Sequence, residues 1–254
     1  MVMQVCFFKH QSDEYQNQSL DHNYDPLFIP VLDQQYTHEH LTQVFRQGPQ
    51  AGFQGILLTS QRSVTTLVTA WQQLDPAQKQ PWRQTFLGIV GDKTATMLRD
   101  SWTEWQGTLV TADTATALAN TLLHNSTATG YFLFLAGDKR RDVLPERLRQ
   151  AGYELQEVQT YATVSHPDLA QQLLLHRPSL ANPQHWVVFF SPSGVNYIQP
   201  HLPFDLHQVK IASIGPTTTA HLNQLGYPVH ATANRPDAQH LLQAIHSHDQ
   251  FSSL

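Results

Sequence analysis

The sequence predicts an α/β fold: two similar parallel-sheet α/β domains joined by a two-stranded β connector, with a ligand cleft between them. Three observations predict it. Apolar runs of strand length alternate with amphipathic stretches of helical period almost throughout the chain. Several of those runs are nearly continuous in apolar residues, as parallel strands covered on both faces require. One half also repeats the other in outline. ILLTSQRSV at residues 56–64 answers VVFFSPSGV at 187–195, and GIVGDKTATML at 88–98 answers ASIGPTTTAHL at 212–222. The two pairs keep their order with only a modest change in spacing.

Taken in order, the strands are expected at Val5–Phe8, Phe28–Leu32, Gly55–Thr59, Phe86–Val90, Tyr131–Leu135, Trp186–Phe190 and Lys210–Ile214. Helices lie between them. After Ser60, the residues Val64, Leu67, Val68, Trp71 and Leu74 share one helical face. After Arg140, Val143, Leu144, Leu148 and Ala151 do the same, and Gly152 supplies the stop. After Thr218 the pattern runs through Leu222 and Leu225 to Gly226. Two segments lack helical period, Val31–His40 (VLDQQYTHEH) and Glu154–His166 (ELQEVQTYATVSH). Paired, they form the connector; unpaired, they are two ordinary loops. The expected organisation is a discontinuous first domain, 1–34 and 166–254, a second domain, 40–158, and connector strands at 35–39 and 159–165. The tail, His246–Leu254, is polar and expected to fray.

At 254 residues, 41% of them hydrophobic, the chain has room for two cores. No stretch approaches the roughly 20 apolar residues of a membrane span, and MVMQVCFFKH lacks the parts of a leader. The single cysteine, Cys6, precludes an internal disulfide and points to a reducing cytosol. Inside an apolar run it reads as a small core residue. A net charge of −5, with Lys139-Arg140-Arg141 the one short basic run, argues against nucleic-acid binding. A small anionic ligand remains open, because backbone N–H groups at helix N-termini hold anions without many cations. The 15 histidines give pairs at His38/His40 and His246/His248. Neither pair is joined by cysteines or carboxylates at ligand spacing, so no metal is expected.

Four turns follow a strand and open a helix: residues 59–62 (TSQR), 91–94 (GDKT), 191–194 (SPSG) and 215–219 (GPTTT). In an open α/β sheet that is the carboxyl edge, where ligands bind. Ser and Thr there cap helices very often, and capping is compatible with binding. Gly91-Asp92-Lys93-Thr94 is not a phosphate loop, since Phe86 stands where that motif needs glycine. Lys139, Arg140 and Arg141 sit at a helix start, where positive charge opposes the dipole and an acidic ligand would offset it. Tyr161 lies in the second connector segment. On a half-buried strand a tyrosine usually packs; on a hinge facing a cleft it donates a proton or hydrogen bond.

Together these residues resemble the uroporphyrinogen-III synthase family over about residues 50–245. The resemblance rests on Thr59-Ser60-x-Arg62, on Gly137-Asp138-Lys139-Arg140 followed by Leu144-Pro145 and Leu148, and on Thr160-Tyr161. Phe190-Ser191-Pro192-Ser193-Gly194 and Ile214-Gly215-Pro216-Thr217-Thr218 are its most specific parts. Phe7-Phe8-Lys9 through Ile29-Pro30-Val31-Leu32 matches the family's opening strand and crossover in style. Gln61 departs from the family's usual proline, and the chain is poor in Lys and Arg for an octacarboxylate ligand. The resemblance implies two α/β domains on a two-stranded ladder, the first built from both chain ends. It implies closure of hydroxymethylbilane, a linear tetrapyrrole, to uroporphyrinogen III in haem biosynthesis. Loss of the terminal hydroxyl as water gives an azafulvene; the last pyrrole attacks through a spiro intermediate, which inverts ring D. Tyr161 is the implied helper of hydroxyl departure. Ser60, Arg62, Thr94, Lys139, Arg140, Ser191, Ser193, Gly194, Thr217 and Thr218 are the implied binding positions. No cofactor, nucleic acid or membrane is implied, and the expected form is a cytoplasmic monomer. The alternatives are a non-catalytic two-domain binder or sensor of an anionic small molecule, and a glycosyltransferase-like enzyme. The last lacks any evident nucleotide-sugar site.

Overall fold

The computed structural model of the chain describes residues 2–124, 130–139 and 142–251. It opens with β1 (Met3–Phe7), α1 (Asp13–Asp21), β2 (Tyr24–Phe28), β3 (Leu32–Tyr36), α2 (Glu39–Gln47) and β4 (Phe53–Leu58). Next come α3 (Gln61–Gln72), α4 (Pro76–Lys79), β5 (Leu87–Val90), α5 (Asp92–Ser101), β6 (Leu109–Ala112), α6 (Ala115–His124), β7 (Tyr131–Gly137) and α7 (Val143–Gln150). Then follow β8 (Glu154–Ser165), α8 (Leu169–Leu175), α9 (Arg177–Leu180), β9 (Trp186–Phe189) and α10 (Pro192–Ile198). The chain closes with β10 (Lys210–Ser213), α11 (Pro216–Gln224), β11 (Ala231–Thr232) and α12 (Ala238–Phe251). Among the described residues no helix is long and apolar enough to cross a membrane.

The chain packs as two units: Met1–Asp33 with Val164–Leu254, and Gln34–Thr163. The first holds a sheet in the order β11-β10-β9-β1-β2, parallel throughout. The second sheet runs β3-β8-β7-β4-β5-β6 and is parallel from β8 to β6. The Thr37 N–H donates to the Thr160 carbonyl at 3.0 Å and the His166 N–H to that of Val31 at 2.8 Å. Late residues of one strand thus meet early residues of the other, so β3 and β8 run antiparallel. The N-terminal part of β8 is also an ordinary sheet strand, in register with β7 from Tyr131↔Glu154 to Gly137↔Tyr161.

The sheet orders disclose how the halves correspond. Numbered along the chain, the first unit's strands lie in the order 2-1-3-4-5, one of the two common doubly wound arrangements. Leaving β3 aside, those of the second lie in the order 5-4-1-2-3. Setting β4 on β9, β5 on β10, β6 on β11, β7 on β1 and β8 on β2 makes the two orders identical. The repeat is therefore circularly permuted.

Side chains alternate between sheet faces, as the strand pleat demands. In the first unit Val5 and Phe7 join Trp186 and Val188 on one face, while Cys6 and Phe8 join Val187 and Phe189 on the other. In the second, Ile56 and Leu58 pack with Leu133 and Leu135, and Leu57 with Phe132 and Phe134. Each of these large side chains contributes about 1.5–3 kcal/mol by leaving water. Cys6 is part of this core, and burial pushes its thiol pKa up.

Several expectations need correcting. The strand expected at Phe28–Leu32 is instead two, β2 and β3, in different sheets. Pro30, without an N–H, falls in the break between them; Pro26 is tolerated inside β2 because β2 is an edge strand. Helix α1 went unforeseen because DEYQNQSLD carries no apolar stripe; it still buries Tyr15 and Ser19 and carries Asp13 and Glu14 in its first turn. The tail is helical through Phe251 rather than frayed from His246, and Asp249 is buried.

Candidate active site

In the second unit β4 ends at Leu58, and Ser60 adopts an extended backbone (φ −150°, ψ 140°) that starts α3. Its Oγ accepts the Arg62 N–H at 3.2 Å, the expected cap. One turn on, α3 is tied to the two strands beneath it by buried hydroxyls. Ser63 Oγ lies 3.0 Å from Thr160 Oγ1 and 3.2 Å from the Leu135 carbonyl. Thr66 donates to the Thr160 carbonyl at 2.7 Å, and Thr160 donates to that of Ala136 at 3.0 Å. All three hydroxyl residues are buried, so these bonds form out of water and fix β8 against β7 one residue before Tyr161.

Tyr161 is 8% exposed. Its ring lies over Gly137, where a Cβ would stand 2.4 Å from two ring carbons and 2.7 Å from the hydroxyl; only glycine lets the two strands meet this way. The Arg62 guanidinium sits 5.4 Å from the ring centroid, within cation–π reach. The phenol hydroxyl has no hydrogen-bond partner among the described residues. Tyr161 opens on a cavity of ≈ 410 Å³ walled also by Thr59, Ser60, Gly137, Lys139 and Leu144. Val90, Asp113, Thr114 and Ala115 complete it. Sequence reading missed the last three. Thr114 accepts the Ala117 N–H at 3.1 Å and starts α6, and Asp113 just ahead of it complements the helix dipole. The β6 that aims this turn is only four residues long, too short to stand out in the sequence.

Thr94 does not reach this cavity. It is buried in the first turn of α5, its N–H bonded to the carbonyl of Gly91 at 3.1 Å. Lys139 is exposed on the rim; Arg140 lies outside the described residues.

The first unit repeats the arrangement. Ser191 starts α10, and its Oγ accepts the Gly194 N–H at 3.0 Å with Ser193 Oγ 3.2 Å away. Gly194 is buried there, and Ser193 lines none of the cavities described here. Ser191, Thr217 and Thr218 share a cavity of ≈ 320 Å³ with Asn234 and Arg235, which sequence reading also missed. A smaller cavity of ≈ 180 Å³ has Ser191, Gly194, Lys9 and His10 in its wall. Burial lowers the Lys9 pKa, and the charge of Glu14 opposes that shift. Among the described residues no three His, Cys, Asp or Glu side chains group as metal ligands.

The family model described as uroporphyrinogen-III synthase HemD matches residues 13–243. The chain is 27% identical over 253 residues to the uroporphyrinogen-III synthase of Saccharomyces cerevisiae, covering 92% of this chain and 90% of that one. It is 27% identical over 237 residues to that of Schizosaccharomyces pombe, covering 90% and 89%. Among solved structures, uroporphyrinogen-III synthetase from Helicobacter pylori aligns with a TM-score of 0.55 at 16% identity, over 96% of this chain and 99% of that one, a likeness of fold.

Proposed function

The chain belongs to the uroporphyrinogen-III synthase family, and from that premise we propose that hydroxymethylbilane loses its terminal hydroxyl in the Tyr161 cavity. The reaction is the family's: closure of the linear tetrapyrrole to uroporphyrinogen III, with loss of water and inversion of ring D. Tyr161 hydrogen-bonds to the departing hydroxyl. The C–O bond breaks, and the water that leaves carries, net, the proton of the pyrrole nitrogen. The azafulvene so formed is attacked by the last pyrrole through the spiro intermediate. Positioning does most of the work, since the leaving group departs readily and the chief task is to choose where the chain closes.

One observation carries this reading: the only hydroxyl-bearing ring in the cavity wall is held by a glycine contact and a buried hydroxyl network, yet its own hydroxyl has no partner among the described residues. A phenol left so is free to bond a ligand. Ser60, Arg62 and Lys139 are proposed to bind substrate carboxylates beside it, and Ser191, Ser193, Gly194, Thr217 and Thr218 to do so in the first unit. Thr94 is retained as a support of its turn. Arg140 keeps the role the family resemblance implies.

The working form is proposed to be a cytoplasmic monomer that needs no metal or cofactor. The test is product analysis: purified chain with hydroxymethylbilane, type I and type III isomers separated. The type III isomer is expected, undiminished by chelators. Binding without turnover would instead mark a sensor, and activity restored only by added zinc or magnesium would refute the metal-free reading.

A further inference from the structure

Lys9 lies two residues beyond β1, at the carboxyl edge of its sheet. Strand order reverses between β1 and β9, so loops leave in opposite directions there and open a crevice. The Tyr161 cavity holds the equivalent place between β4 and β7, and Lys139 likewise lies two residues beyond β7. The Lys9 ammonium stands 3.8 Å from the Tyr15 ring centroid and 5.0 Å from that of Phe190. Ring faces attract a cation but take up none of its three N–H donors as an ordinary acceptor would. The charge of Glu14 acts on this ammonium, but among the described residues no carboxylate forms an ion pair with it and no oxygen accepts from it. A half-buried ammonium placed in this way keeps its N–H donors for water or for a ligand carboxylate. The adjoining cavity of ≈ 180 Å³ offers an apolar wall of Val31, Phe189 and Phe190 with the ammonium beside it.

We propose that this cavity is a carboxylate subsite of the substrate site, in which Lys9 binds one acidic arm of the linear tetrapyrrole while the arm's methylenes lie on the apolar wall. The proposal rests on the family reading for the ligand's chemistry, and on geometry for the residue.

Wild type, Lys9→Met and Lys9→Arg are compared by steady-state kinetics with hydroxymethylbilane, by melting curves, and by binding of uroporphyrin III, an octacarboxylate followed by its own fluorescence. Lys9→Met is expected to raise KM and the uroporphyrin Kd about tenfold, the worth of a charge-assisted hydrogen bond. It should leave kcat within about twofold and flatten the salt dependence of binding. Lys9→Arg should recover most of the affinity. Unchanged KM and Kd in a folded Lys9→Met protein would overturn the proposal. So would a fallen melting temperature with unchanged affinity, which would make the ammonium a prop between two rings. Wild type that binds uroporphyrin III without turnover would sink the enzymatic reading alone, and the Lys9→Met to wild-type Kd ratio would still decide the subsite. Wild type that neither binds nor turns over would sink both.

Discussion

Tyr161 and Gly137 form one device, and the two substitutions that probe it should part company. Tyr161→Phe keeps the ring, its packing on Gly137 and its contact with Arg62, and removes only the hydroxyl. General acid assistance is worth about 10²–10⁴-fold, less for a good leaving group. A kcat loss of about tenfold or somewhat more is therefore expected, with residual type III product and an unchanged melting temperature. Full activity across pH with a lowered melting point would make Tyr161 a packing residue. Gly137→Ala drives a methyl into the ring, so the ring must move and the strands must part. Destabilisation of about 1–3 kcal/mol is expected, read by urea unfolding, with a kcat loss at least as large as that of Tyr161→Phe. Of this pair, Tyr161 was legible as a candidate, whereas Gly137 read only as a turn residue. Its need for hydrogen in place of a side chain comes from a neighbouring strand that local pattern does not reveal.

At the scale of elements, α12 shows how a polar tail becomes a fixed one. Asp249 accepts from Tyr24 at 2.8 Å, from Trp186 Nε1 at 3.0 Å and from Lys210 at 2.7 Å. Those partners open β2, β9 and β10, so one carboxylate ties the helix to three strands at the amino edge of the sheet, away from the substrate cavities. Burial pushes the Asp249 pKa up, but the bonds from Lys210, Trp186 and Tyr24 outweigh it and the net shift is downward. Removing the acceptor in Asp249→Ala should cost about 3 kcal/mol. A carboxyl with a depressed folded pKa stabilises above its unfolded value of about 3.9 and loses that contribution as pH falls through the folded value. Melting temperatures of wild type should thus converge on those of Asp249→Ala below about pH 4. A constant gap down to strong acid would contradict this assignment. His230 and His248 neighbour the cluster; burial, then the charges of His248 and Lys210, lower the His230 pKa. Long periodic helices such as α3 were legible because their apolar stripe is local. α12's anchor was not, since its partners are scattered along the chain.

At the scale of the whole molecule, each of the four buried apolar clusters among the described residues is built from one unit alone, two in each. Four of the five tryptophans, Trp71, Trp82, Trp102 and Trp105, belong to the second unit, and Trp186 to the first. Denaturant curves followed by tryptophan fluorescence and by far-ultraviolet circular dichroism should therefore fail to coincide. Superimposable curves would mean that the units unfold as one. The alternation of strands and helices and the internal repeat were legible from apolar pattern alone. Its permutation was not, because strand order in space is decided by pairings between distant segments.

That permutation orders events during synthesis. The second unit is one unbroken stretch, Gln34–Thr163, and has all of its strands once β8 has left the ribosome. The first unit cannot close then. β1 is made before the second unit and pairs early with β2, but its other neighbour is β9, with Val5 set against Trp186. Two strands alone are marginal in water, and an open apolar edge is a template for the wrong partner. A translating ribosome therefore carries β1 half-paired while an entire domain is made and folded beyond it. The segment most in need of a chaperone is the one made ahead of that domain.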